Sequence, residues 1–140
     1  MSRGSNSPFI GGLKGWEMEL VRMIRRSPLR GYKGGRSVSR KGLWIRGHLL
    51  EVGKDYPYSM YKGWKRFIET AELKIRPGSY QNFINYLYVL RRLGLIIREG
   101  EGGGFKRTYY RLNPEKVNSR IWLNPYNHYS RMIKAEKGNP

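Results

Sequence analysis

Gln81, Asn85, Tyr88 and Arg92 follow one another at spacings of four, three and four residues, which in an α-helix places them on one stripe. Gln and Asn carry amides, and Arg a guanidinium fork, whose geometry matches the edges of adenine and guanine in a major groove. Any helix facing water needs a polar side, and these four residues would equally serve that plainer role. A second set lies downstream. Phe105, Arg107, Tyr109 and Arg111 alternate with Lys106, Thr108, Tyr110 and Leu112, so a strand there gives one side two arginines and two aromatics. Such a surface suits phosphate and sugar contact; a hairpin with packed aromatics and solvated arginines is the alternative. A third set is the run from Glu19 to Glu51. It holds nine Lys or Arg residues (Arg22, Arg25, Arg26, Arg30, Lys33, Arg36, Arg40, Lys41 and Arg46) with no carboxylate between those two glutamates. Its glycines and serines, in RGYKGGRSVSRKG, allow the backbone to run close to phosphates, as basic segments do when they fold on RNA or DNA.

The whole chain shares this bias. A formal net charge of +18 on 140 residues repels itself in a compact state, and a polyanion would supply the missing negative charge. Nucleic acid rewards each Lys or Arg contact with counterion release. An acidic membrane surface and solubilisation by charge are the other readings. Aromatic residues make up 14%, with eleven tyrosines, which fits stacking on bases as well as ordinary half-buried packing.

Catalysis is not expected. There is no cysteine, Asp55 is the sole aspartate, and His48 and His128 lie far apart, so thiol chemistry and a clustered metal site lack their residues. No cofactor and no small-molecule substrate is implied. The glycines of 100–104 invite a phosphate-loop reading, but such a loop opens a helix and this one joins two strands. The N-terminus has no apolar signal region, and no apolar run approaches the ~18 residues of a membrane span. The expectation is a soluble, cytoplasmic protein with no membrane partner.

Periodicity positions these residues as follows. Residues 1–12 read as a flexible basic arm, and Leu13, Trp16, Leu20, Met23 and Ile24 predict a helix over about 13–26 that Ser27-Pro28 ends. A basic loop follows over 27–41, then a short helix over Gly42–Val52 and a loop over Lys54–Pro57. Met60, Tyr61, Trp64, Phe67, Ile68 and Ala71 predict an amphipathic helix over 58–73. Arg76–Ser79 is a turn ending in an N-cap serine, and a third helix runs from Tyr80 to Leu93, with Tyr80, Phe83, Leu87 and Leu90 inward and Gly94 as its stop. Strands over Leu95–Arg98 and Phe105–Leu112 make a hairpin. Residues 115–140 form a C-terminal extension in which Trp122, Pro125 and Tyr126 fold back. Residues 13–114 then constitute one α+β, mostly helical domain.

Helix, turn, helix, glycine and hairpin in this order resemble a winged helix-turn-helix. GSYQNFINYLYVLRRLGLIIREG followed by KRTYYRL is similar to the second helix and wing of archaeal and viral members, most of all in LRRLGLI. The resemblance spans about 58–112, some two fifths of the chain. It implies duplex DNA binding by a regulator or DNA-organising protein, with the third helix and wing as contact surfaces. The same fold serves in ribosomal proteins and protein-interaction modules. Basic charge at both ends of the chain points to a structural role on ribosomal RNA, the main alternative, while a protein–protein adaptor leaves the charge without a purpose.

Overall fold

The chain runs through α1 (Gly15–Arg26), α2 (Arg40–Val52), β1 (Lys54–Asp55), α3 (Pro57–Thr70), α4 (Tyr80–Arg92), β2 (Ile96–Glu99), β3 (Tyr109–Leu112) and α5 (Pro125–Gly138). This is a computed structural model that describes residues 12–26, 39–100 and 107–138. The architecture is α+β and mostly helical. Its strands form one antiparallel sheet in the order β1-β3-β2, with Ile96 opposite Leu112, Glu99 opposite Tyr109, and Lys54 opposite Arg111.

The helices close around Trp44. Its ring lies 6.1 Å from Trp16 of α1 and 6.1 Å from Trp64 of α3, and it stacks on His48 at 4.7 Å. The indole Nε1 donates to Oε2 of the buried Glu17 at 2.8 Å, while Glu17 Oε1 accepts the backbone N–H of Lys14 at 3.0 Å. One carboxylate thus caps the start of α1 and satisfies the central tryptophan, so its burial is compensated by hydrogen bonds. Two glycines permit the close approach. A Cβ on Gly47 would lie 2.4 Å from the Trp16 ring, and one on Gly63 would lie 2.8 Å from Trp44.

Ser39 caps α2 by accepting from Gly42 N, and its hydroxyl also hydrogen-bonds the buried Tyr86 hydroxyl. That cap sets the start of α2, which is longer than the short helix expected and takes Arg40 and Lys41 out of the expected basic loop. Residues 54 and 55, expected as loop, form β1, because β3 offers them a ladder partner that no local pattern announces. α3 ends at Thr70 rather than 73. Glu72 adopts a left-handed φ of 54°, and Leu73 N bonds back to Ile68 O at 3.1 Å, which terminates the helix.

α4 follows its expected course. Ser79 accepts from Asn82 N at 3.0 Å at its start. At its end Gly94 has φ 79°, with Gly94 N bonded to Arg91 O and Leu95 N to Leu90 O, both at 2.9 Å. This paired capping pattern needs the positive φ that glycine supplies without strain. β2 starts one residue later than expected, at Ile96, and β3 begins at Tyr109, after Arg107 and Thr108, while Phe105 and Lys106 lie outside the described residues. The C-terminal residues contain a helix, α5, that was not expected. Trp122 is buried and donates to Lys116 O at 3.0 Å, Pro125 is buried, and α5 packs beside α4. Tyr126 is about half exposed, with its ring edge-on to Tyr86.

Candidate functional site

The stripe read from the sequence is present on α4. Gln81, Asn85, Tyr88 and Arg92 are all exposed, while Phe83, Tyr86, Leu87, Val89 and Leu90 are buried. Neighbours along the stripe are bonded in pairs. Gln81 Nε2 donates to Asn85 Oδ1 at 3.1 Å, and Arg92 Nη1 donates to the Tyr88 hydroxyl at 3.2 Å. The stripe is not entirely free, because α5 brings Glu136 to Arg92 at 3.2 Å and the Tyr129 ring to 5.9 Å from its guanidinium. The Tyr88 hydrogen bond, with Glu136 adding to it, holds the Arg92 guanidinium above its ordinary pKa. A helix in the C-terminal residues was not anticipated, so neither was this acidic neighbour.

The hairpin places its side chains by strand alternation. Tyr110 and Leu112 pack on the core, leaving Tyr109 and Arg111 on the other side with Lys54 of β1. Arg107, just before β3, lies with its guanidinium 4.2 Å over the Tyr56 ring, and Tyr109 meets the same ring edge-on at 5.8 Å. Lys54 Nζ sits 5.3 Å over Tyr109. Arg111 Nε lies 3.7 Å from Glu99 Oε1 across the strands, so part of its charge is neutralised. Lys106 lies outside the described residues.

A tyrosine cluster joins the helix stripe to the hairpin. Tyr58 and Tyr61 of α3 and Tyr80 of α4 have ring centres 5.4–6.5 Å apart. Tyr61 is anchored on Phe83 at 5.7 Å and donates to Gly78 O at 2.9 Å. Tyr80, expected in the core, is 37% exposed, and Tyr58 is 51% exposed. The correction follows from position: Tyr80 is the first residue of its helix, where the inward side has no turn below it and meets the α3 rings instead. Partial burial, then the neighbouring Tyr58, raises the Tyr80 pKa. The available signal was Tyr56-Pro57-Tyr58, aromatics bracketing a proline at a helix start.

The basic run is divided. Arg30, Lys33 and Arg36 lie outside the described residues. Arg25 donates to Ala71 O at 3.1 Å, and Arg25 and Arg40 border a hollow with Glu72, Leu73 and Ile75, at the C-terminal end of α3. The tyrosine cluster and Arg107 lie at its N-terminal end, some 20 Å away for a helix of fourteen residues. Arg26 is exposed on the α1–α2 side. Lys41 is half-buried 5.0 Å over the Tyr86 ring, and burial lowers its pKa. Arg46 donates to Val117 O at 2.6 Å and to Asn118 Oδ1 at 3.1 Å, so it holds the C-terminal residues in place. Tyr80, at the start of α4, shares a hollow with Arg107, whereas Arg25 and Arg40 border a separate hollow, Arg26 lies on the α1–α2 side and Lys41 lies over Tyr86.

His48 and Asp55 form a pair at 2.7 Å, and Ser59 Oγ donates to the same carboxylate oxygen at 2.9 Å. They fasten α2 to the start of α3. Among the described residues no group of three or more His, Cys, Asp or Glu side chains is arranged to hold a metal ion, and no helix is long and apolar enough to cross a membrane. No protein-family model matches the chain, and no curated protein is similar to it in sequence.

Proposed function

We propose that this protein is a non-catalytic winged-helix protein that binds double-stranded nucleic acid, with duplex DNA as its partner and α4 and the β2–β3 hairpin as its contact surfaces. The observation that carries the reading is the exposed Gln81–Asn85–Tyr88–Arg92 stripe on α4, beside a hairpin base that carries Arg107 and Tyr109. The succession α2, β1, α3, α4, β2, β3 with the sheet order β1-β3-β2 supports the winged-helix assignment. One feature departs from the tightest helix-turn-helix. Residues 71–79 join α3 to α4, where about three or four suffice in the short form. Amides and guanidinium on α4 read base edges, while arginine and lysine on the hairpin meet phosphate. The net charge of +18 supports the same partner. A cytoplasmic, nucleoid-associated protein acting as a regulator or DNA organiser fits these properties.

A second reading, a structural protein on ribosomal RNA, is favoured by one observation: Arg25 and Arg40 lie at the far end of α3 from the hairpin, so basic charge is not confined to one side. Fluorescence anisotropy with duplex DNA and with structured ribosomal RNA decides between them. Tighter binding to duplex DNA, weakened at preferred sites by Asn85→Ala, is the expected result. Preference for ribosomal RNA, untouched by that substitution, would remove the DNA reading.

A further inference from the structure

We infer that the cleft between the start of α3, the start of α4 and the base of the hairpin holds an unpaired nucleobase, so that the preferred partner is a duplex with a single-stranded nucleotide beside its paired region. The inference rests on the proposed nucleic-acid reading and gives it a more definite substrate. The cleft has a volume of about 390 Å³ and is lined by Tyr56, Pro57, Tyr58, Tyr80, Arg107 and Thr108. Tyr58 and Tyr80 stand perpendicular, at 89° with ring centres 5.4 Å apart, and both keep a third or more of their surface in water. Large aromatics held at the surface leave part of their ring surface accessible to a ligand.

The charges around the cleft narrow the ligand class. Arg107 lies 4.2 Å over Tyr56, Lys62 lies 5.4 Å over Tyr58, and Lys65 lies 5.2 Å over Tyr61. Among the described lining residues there is no carboxylate. The neighbouring Asp55 is fully engaged by His48, Ser59 and the backbone N–H of Tyr56. Cations seated on the rings oppose a cationic ligand and make a purely apolar one costly, since they would lose water without gaining a partner. A ligand with a flat ring and an anionic group satisfies both elements. Stacking tyrosines combined with Arg and Lys contacts to the backbone are the features by which proteins hold single-stranded nucleic acid.

Stacking also excludes an uninterrupted duplex from this cleft. Inside a duplex each base is covered on both faces by its neighbours and offers only its edges to the grooves. Tyr58 and Tyr80 can reach a base face only where pairing stops. Tyr80 immediately precedes Gln81, the first residue of the α4 stripe. A strand followed along α4 by base-edge contacts therefore reaches the cleft at one end of the helix, which puts the unpaired nucleotide next to the contacted duplex.

The test compares a blunt DNA duplex with the same duplex carrying a three-nucleotide overhang at either end, read by anisotropy. An overhang containing 2-aminopurine adds a direct fluorescence report of stacking. The protein should bind one of the overhang duplexes about tenfold more tightly than the blunt one and quench the 2-aminopurine. Tyr58→Ala and Tyr80→Ala should each remove that preference and the quenching, and Tyr58→Phe, which keeps the ring, should retain both. Circular dichroism melts confirm that the variants fold. Equal affinity of the parent protein for blunt and overhang duplexes, with no quenching, overturns the cleft assignment and leaves the duplex reading standing. Absence of binding to every duplex overturns both.

Discussion

The two ends of α3 carry similar positive charge in different chemical settings. At the N-terminal end, Arg107, Lys62 and Lys54 lie over tyrosine rings, and the exposed amides of α4 are close by. At the C-terminal end, Arg25 is bonded to a main-chain carbonyl, and Arg40 borders a hollow formed by Ile24, Glu72, Leu73, Lys74 and Ile75. The first setting offers flat faces and directional donors, which can distinguish one base from another. The second has no aromatic or amide side chain lining its hollow and offers cations beside Glu72, and phosphates look alike in every sequence. On the proposed reading, net charge accounts for attraction to a polyanion, while the neighbours of each cation decide whether it can contribute to selectivity.

The largest expected effect tests what the two regions share. Binding to any duplex should weaken by orders of magnitude between ~50 and ~200 mM salt, with a log–log slope of several units, because several phosphates release counterions. A titration that stays flat across that range would show that neither region acts through phosphates. Next in size is the support beneath the selective region. Leu90 is fully buried under α4, so Leu90→Ala should cost roughly 2–5 kcal/mol in a thermal or urea melt. Gln81→Ala, on the opposite face, should change stability by no more than about 0.5 kcal/mol. The reverse ranking would mean that the helix is turned the other way.

The comparison itself is tested by paired substitutions. Asn85→Ala should reduce discrimination between preferred and random sites by roughly 1–3 kcal/mol, and Arg92→Ala should act in the same direction. Arg26→Ala and Arg40→Ala should weaken all sequences alike. A selection from random duplexes that returns no preferred sequence would erase the distinction between the two ends. The smallest effect concerns Glu136, which neutralises Arg92 from α5. An exposed ion pair of this kind is weak, so Glu136→Ala should raise duplex affinity by no more than a few-fold. A loss of affinity would mean that Glu136 orients Arg92 for binding.

How much of this was legible in the chain varied with the range of the interactions involved. α4 was readable from end to end because its signals are local: Ser79 as cap, a 3.6-residue apolar period, and Gly94 as stop. α2 was placed only in part, since the cap that starts it, Ser39, bonds to Tyr86 on a distant helix. β1 was invisible, because two residues have no periodicity and their partners Tyr110 and Arg111 lie far along the chain. α5 was missed because, of its residues, only Pro125 is fully buried, so it has no strong apolar stripe.

The sequence by itself determined the charge, the absence of cysteine, the course of α4 and the identity of its exposed stripe. Those properties depend on residue type or on neighbours within a turn or two. Only the tertiary structure decided which cations stay available and which are tied up, such as Arg46 in the C-terminal segment and Lys41 over Tyr86. It alone brought Tyr56, Tyr58, Tyr80 and Arg107 around one cleft. These residues come from three places in the chain that meet only when α3, α4 and the sheet pack together, and no local pattern encodes a contact that core packing creates.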